Sequence, residues 1–440
     1  MNVVNLKKGY DLRLDGGVSS EVTSVIDCSV YAVVPDDFYG VTPRLDVKEG
    51  DVVRQGDKLY HDRQFAEIAV TSPVSGVIKE IKRGERRKIE AIVIEKNAVE
   101  NSTKEFDLSV DAKTLLLESG LWACMQQRPY AVVPNPNVAP RDIFVTAFDS
   151  APLAPDFAVI LKEKSQYIQK GIDVLSSLTD GKVYLGLKDE NDFGLKGVEA
   201  TIFKGPHPAG NAGVQVANVK PVNKGEVVWT LDLVTVARIG ELFMTGKVPF
   251  DTVVAITGSE VQTPKYVKCY MGAALSSVLE GNLSLTENIN IISGNVLTGY
   301  ASGIDGYLRF PYQQVSVIKE LDNPGEFMGW ASLSPAKFSV YRSFFSWLCP
   351  KKRVSLDSKL NGGERAIVMS GEYDRMLPMD IYAEFLIKSI IAFDIDKMEQ
   401  LGIYEVAPED FALCEFADTS KLELQKIVRD GLDKLRKEME

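Results

Sequence analysis

The chain has 440 residues, 45% of them hydrophobic and 25% charged, with a net charge of −11. That length suggests about three domains, and the acidic balance argues against a nucleic-acid footprint. No apolar run of about 18 residues offers a bilayer span, and the opening "MNVVNLKKGYDLRL" lacks the apolar stretch of a signal peptide. Five scattered cysteines, Cys28, Cys124, Cys269, Cys349 and Cys414, fit reduced thiols in a cytoplasmic protein.

The first hundred residues read as all-β. "VKEGDVVRQGDKLY" (47–60), "TSPVSGVIKEI" (71–81) and "RRKIEAIVIE" (86–95) are β-branched runs broken by glycine and proline turns. The run "KRGERRK" (82–88) carries a local charge of +4 at an expected hairpin tip. Such a run is usually a solvated turn, and its functional reading is contact with anionic lipid headgroups or an acidic protein. Residues 111–122 read as a helix stopped by Gly120. "AVVPNPNVAP" (131–140) reads as a loop. Strands at 142–149, 182–188 and 199–205 then alternate with a helix over 163–181, the rhythm of a mostly parallel sheet covered by helices. Beyond residue 253 two strands, a short helix and further β-rich segments read as a compact α+β unit. The remainder reads as helical. In "KLELQKIVRDGLDKLRKEME" (421–440), Leu424, Ile427, Val428, Leu432 and Leu435 share one face, with Thr419 or Ser420 as the expected cap.

The chemical motifs are mostly absent. None of the 34 glycines forms a G-x-G triplet, the spacing that lets backbone approach a pyrophosphate. No P-loop, C-x-x-C, H-E-x-x-H or G-x-S-x-G pattern occurs. Cys414 reads as a small core residue, and His61 in "YHDR" as a surface or satisfied core residue. "KGPHPAGNAG" (204–213) holds one of two histidines. Pro206 and Pro208 stiffen it, while Gly210 and Gly213 allow close backbone contact. Two prolines remove N–H groups from any phosphate nest, so the segment reads as a rigid turn or a contact loop.

The paired half-motifs "VKEGDVVRQGDKLY" and "TSPVSGVIKEI" resemble a biotinyl/lipoyl-type barrel-sandwich domain. The turn between them, around Gln64 and Phe65, lacks the lysine that bears a swinging arm. "ITGSEVQTPKYVKCYMGAALSSVLEGN" (256–282) resembles a soluble-ligand-binding β-grasp (SLBB) module. In order along the chain, "KKGYDL" (7–12), "ESGLW" (118–122), "RPY" (128–130), "IFVTAFD" (143–149), "FKGPHPAG" (203–210), "IISGNVLTG" (291–299), "QQVSVI" (313–318), "FMGWASL" (327–333), "KFSVYRSF" (337–344), "GEYDRMLPMD" (371–380) and "EDFALCEF" (409–416) resemble the NqrA family, one of the six subunit families of the Na+-translocating NADH:quinone oxidoreductases (Na+-NQR).

That resemblance implies a multidomain α/β and α+β chain. The expected units are an N-terminal barrel-sandwich hybrid (1–105) and a Rossmann-like α/β domain (106–255). That second domain is related to the flavin-bearing part of complex I but lacks its Gly-rich loop. An SLBB-type β-grasp domain (256–330) and a C-terminal helical domain (331–440) complete the set. It implies a peripheral protein on the cytoplasmic face of the bacterial inner membrane, with no redox centre of its own. FAD, FMN, riboflavin and iron–sulfur centres belong to other members of the complex, and quinone is a possible substrate. The implied partners are NqrB to NqrF, chiefly the membrane-embedded NqrB, with no nucleic acid. Gly205, Pro206, His207, Pro208 and Gly210 are the expected partner or quinone-side contact. Lys82, Arg83, Arg86, Arg87 and Lys88 are the expected basic docking patch. His207 is expected on the surface, where alanine would leave the isolated fold intact. The competing readings are a self-sufficient flavin or NADH oxidoreductase, or an electron-transfer protein like RnfC of the Rnf complex.

Overall fold

The computed structural model describes residues 1–19, 21–96, 102–190, 193–321, 334, 337–349 and 351–439. The "FMGWASL" block and the expected boundary at residue 330 lie outside them.

The barrel-sandwich unit is two antiparallel sheets. One runs Val30–Val33, Ile89–Lys96, Gly76–Arg83, Val52–Val53, and the other Pro43–Leu45, Lys58–Asp62, Ala69–Thr71. Leu59, Tyr60, Ile78, Ile92 and Ile94 fill its interior. The turn after Asp62 is pinned by that residue's buried carboxylate, which accepts from Thr42 N–H (2.7 Å), Gln64 N–H (3.1 Å) and Phe65 N–H (2.9 Å). The turn is thus shaped by an internal acid.

The α/β unit is a six-stranded sheet in the order Asn2–Asn5, Val198–Lys204, Val183–Leu187, Asp142–Thr146, Val228–Asp232, Gln126–Arg128. Only the last strand runs antiparallel. Alternate residues of the central strand enter different cores, Ile143 and Val145 one and Phe144 another, as the period of two requires. Helices Ser165–Ser176 and Leu233–Thr245 pack together through Gly171 and Gly240. A Cβ at Gly171 would strike the Val236 carbonyl, and one at Gly240 the Tyr167 carbonyl. The expected helix over 163–181 stops at Ser176, short of Gly181. The helix Ala112–Ser119 matches its local signals: Asp111 accepts from Thr114 N–H at 3.0 Å, and Gly120 turns left-handed at φ 85°.

The β-grasp unit is a mixed sheet in the order Tyr300–Ala301, Ile289–Ser293, Gln314–Lys319, Asp251–Thr257, Lys265–Tyr270, Val22–Val25. Within the expected domain 1–105, two strands pair outside the barrel-sandwich sheets. Asn2–Asn5 is an edge strand of the α/β sheet, and Val22–Val25 an edge strand of the β-grasp sheet. Both sheets left an edge unpaired, and the N-terminal segment covers each before the chain enters the barrel-sandwich.

Among the described residues, the α-helices of the C-terminal part begin at Glu372. Leu424, Val428, Leu432 and Leu435 are fully buried in the last helix, Leu424–Met439, and Ile427 is half-buried. Neither expected cap lies at its start. Thr419 Oγ1 donates to Glu372 and Ser420 Oγ to the Ala366 carbonyl. Cys414 sits in the core of this part, as its sequence context suggested.

Candidate functional site

A cleft of about 280 Å3 opens at the carboxyl ends of the parallel strands, where ligands of open α/β sheets bind. All four units line it. The barrel-sandwich supplies Asp37 and Tyr39, and the α/β unit supplies Asp149 and Asp232 beyond two strand ends. The β-grasp unit supplies Tyr312, and the C-terminal part Glu409.

One wall is "KGPHPAGNAG", the link from strand Val198–Lys204 to helix Ala212–Val219. His207 and Gly210 line the cleft. Contrary to expectation, His207 is only 3% exposed, and Pro208, Ala209 and Gly210 are buried too. The cause lies in another sequence block. Asp11 of "KKGYDL" accepts from His207 N–H at 2.8 Å, and the His207 carbonyl accepts from Tyr10 N–H at 2.8 Å. Gly9 carries no side chain because a Cβ there would meet that same carbonyl. Ser150 Oγ accepts from Gly210 N–H at 2.8 Å and shares a hydrogen bond with His207 Nδ1 at 3.0 Å, in the direction the ring tautomer sets. Nε2 has no hydrogen-bond partner among the described residues. Burial pulls the imidazole down to about 4, so it is neutral near pH 7.

The opposite wall carries an acid the sequence did not single out. Asp37 ends a single helical turn, Pro35–Asp37, and its side chain is 5% exposed. Its carboxylate accepts from Arg309 Nε at 2.5 Å and Phe310 N–H at 3.0 Å. Burial pushes its pKa up to about 7, against the opposing pull of Arg309. The Arg309 guanidinium lies 4.1 Å from the Tyr300 ring centroid. The Tyr300 and Tyr312 rings meet edge-on at 6.2 Å, and Tyr312 donates to the Thr298 carbonyl at 2.5 Å. Burial also raises Asp149 and holds Tyr312 well above the usual phenol range. The cleft therefore joins a neutral imidazole, an aspartate titrating near neutrality and a protonated phenol.

Beneath Glu409 lies a buried ion cluster. Arg128, whose side chain is 1% exposed, donates to Glu409 at 2.7 Å and to the fully buried Asp410 at 2.9 Å. Asn211 donates to the Glu409 carbonyl at 3.2 Å. The blocks "RPY", "GPHPAGNAG" and "EDFALCEF", dispersed in sequence, thus converge on one junction. Its members were visible as separate motifs. Their contacts span more than one sheet end, and no local period encodes them.

The basic run sits at the tip of the hairpin Gly76–Arg83 and Ile89–Lys96, as expected. Arg83, Arg86, Arg87 and Lys88 are exposed. Lys88 pairs with Asp36 at 2.7 Å, and half-buried Lys82 lies 5.5 Å from the Tyr307 ring. Among the described residues, no group of three or more His, Cys, Asp or Glu side chains is arranged to hold a metal. His61 lies 2.7 Å from Asp46, away from the cleft's lining.

Comparison with known proteins matches three stretches of the chain. Residues 4–97 match the NqrA N-terminal barrel-sandwich hybrid domain, 109–248 the NqrA second alpha/beta domain and 253–302 the NQRA C-terminal domain. The A subunit of the Na(+)-translocating NADH-quinone reductase of Vibrio parahaemolyticus is 35% identical, over 99% of this chain and all of that one. The proteins of that name from Vibrio vulnificus and Neisseria meningitidis are 36% and 34% identical, again over 99% of this chain and all of theirs. Among solved structures, an NAD+-reducing [NiFe]-hydrogenase in the H2-reduced state is 12% identical over 48% of each chain, at a TM-score of 0.34. With relatives matched end to end at this identity, the chain belongs to the NqrA family of Na+-translocating NADH-quinone reductase subunits.

Proposed function

We propose that this chain is the cofactor-free peripheral subunit of a Na+-translocating NADH:quinone reductase, and that its four-walled cleft serves the quinone-reducing step. The subunit reading rests on identity running the full length of the relatives that bear that name. The flavin, iron–sulfur and NADH chemistry falls to NqrB to NqrF, with the membrane-embedded NqrB as the main neighbour on the cytoplasmic face. The exposed arginines of the 82–88 hairpin are suited to that docking. No helix among the described residues is long and apolar enough to cross a membrane, which agrees with attachment through a partner.

One observation supports the cleft: proton-bearing groups converge on it. Quinone reduction consumes two protons for every two electrons, and general acids work best with a pKa near the operating pH. Asp37, at about 7, meets that condition. With its proton on Nε2, a neutral His207 can donate a hydrogen bond to a quinone oxygen.

Two measurements test the proposal separately. A tagged full-length chain extracted from membranes should bring the other members of the complex with it, and recovery of the chain alone would end the subunit reading. In the assembled complex, Asp37→Asn should slow quinone reduction at least about tenfold while NADH oxidation by an artificial acceptor is unchanged. Equal rates in both assays would remove the cleft from the quinone step and leave the subunit reading standing.

A further inference from the structure

A larger cavity, of about 680 Å3, lies away from that cleft. Small-molecule sites span about 300–1,000 Å3. Its walls come from the turn of helix at Phe157–Ile160 and the residues after it, helix Leu233–Thr245, strand Asp251–Thr257 and the N-terminal edge strand Val22–Val25. It is therefore a seam between the α/β sheet, the β-grasp sheet and the segment that covers the latter's edge.

Its lining is amphipathic. Val159, Ile160, Leu161, Val234, Ala237 and Val253 are apolar. The charged residues are Lys162, Lys164, Arg238 and Lys268 against Glu21, Glu163 and Asp251, one positive charge in excess (four minus three). Most of these are neutralised in place. Lys164 lies 2.5 Å from Glu241 and 2.9 Å from Asp251, while Lys268 lies 2.8 Å from Glu163 and 3.5 Å from Asp251. Arg238 is different. It is 4% exposed, yet its Nε and Nη1 have no hydrogen-bond partner among the described residues. Thr252 lines the same cavity at 5% exposure, and among the described residues its hydroxyl has no partner either. A guanidinium cannot shed its charge, and buried donors left unmade are costly. Two such residues on one cavity indicate a missing acceptor.

We propose that this cavity binds a small amphiphile with an anionic head, a carboxylate or a phosphate ester, and an apolar body. Arg238 takes the head with a hydrogen bond from Thr252. The apolar wall around Val159, Val234 and Val253 takes the body. Asp251, next to Thr252 and within electrostatic reach of Arg238, is held by Lys164 and Lys268, leaving Arg238 for the head. The site is independent of the quinone reading, since none of these residues lines the first cleft.

Calorimetric titration of the full chain with octanoate, octyl phosphate and 1-octanol tests this. At least one anion should bind tenfold or more tighter than the alcohol, and the tighter of the two identifies the head group. Arg238→Met should remove that preference while leaving octanol binding unchanged. Val159→Phe, which fills the apolar wall from a half-buried position, should weaken all three and serves if Arg238→Met does not fold. Octanol binding as tightly as both anions, full anion affinity in Arg238→Met, unchanged binding in Val159→Phe, or no binding up to about 1 mM would each overturn the proposal.

Discussion

His207 and Asp37 face one cleft, and burial moves both away from their ordinary ionisation in opposite stability senses. The folded His207 titrates near 4, below its unfolded value of 6.5. Between those values the unfolded chain holds the extra proton, so stability from this residue is full above 6.5 and is lost as pH falls through 4. The folded Asp37 titrates near 7, above its unfolded 3.8. There the folded chain holds the extra proton, so its contribution is full below 3.8 and is lost as pH rises through 7. Across the shared window the two slopes oppose, each at most about 1.4 kcal/mol per pH unit. Asp37→Asn should therefore make the melting temperature rise more steeply from pH 4 to 6.5 than in the wild type. A parallel pair of curves would mean that Asp37 ionises in the fold as it does in water. His207→Ala removes a buried ring and the Nδ1 partner of Ser150 Oγ, and should cost about 1–3 kcal/mol in denaturant melts at pH 7. A loss below about 0.5 kcal/mol would restore the surface reading. The sequence did not mark His207 as buried because the residues that bury it, Gly9, Tyr10 and Asp11, lie nearly two hundred positions earlier.

Elements whose signals are local were legible. The helix Ala112–Ser119 carries its own cap and stop, and the hairpin around Glu85 its own turn and charge. The last helix showed its buried face through its spacing but not its start, because Thr419 and Ser420 are engaged by Glu372 and Ala366 instead. Helix Ala212–Val219 shows why some glycines resist a local reading. A Cβ at Gly213 would run into both carboxylate oxygens of Asp410 and the Arg128 guanidinium. The bare α-carbon lets the helix start rest on a buried ion cluster. Gly213→Ala should gain helix propensity locally and still destabilise by roughly 2–4 kcal/mol, because a displaced buried ion pair loses its partner. Restoration of the melting temperature when Asp410→Asn is added to Gly213→Ala would contradict this, since Arg128 would then lose its buried carboxylate outright. At the 82–88 hairpin, Arg86 and Arg87 have φ of 53° and 62°. Glycine at both positions should leave the isolated chain as stable or slightly more so, while weakening any docking that depends on their charge. Thermal melts beside co-purification yield separate the two effects.

At the scale of the whole molecule, four units were readable from their internal patterns, but the pairing of the N-terminal segment with distant strands was not. The N-terminal segment looked like part of the barrel-sandwich because it precedes it without a break. Its two strands belong to sheets completed by residues 198–204 and 265–270, and no pattern within twenty-five residues can announce such distant partners. Deleting residues 1–25 should therefore loosen the α/β and β-grasp sheets, seen as faster amide exchange in Val198–Lys204 and Lys265–Tyr270, with the Ile89–Lys96 strand unaffected. The same wiring bears on biosynthesis. Residues 2–5 leave the ribosome long before the strand they must pair with exists, and residues 22–25 wait longer still. The ladders among barrel-sandwich strands from 30 to 96 are local and can close early, although Val30 and Ala32 also bond to Ala274 and Gly272, while both flanking ribbons stay open to solvent. The chain's earliest β-strands are thus among its last to be installed, and a nascent chain halted before residue 198 would carry them as exposed, protease-sensitive edges.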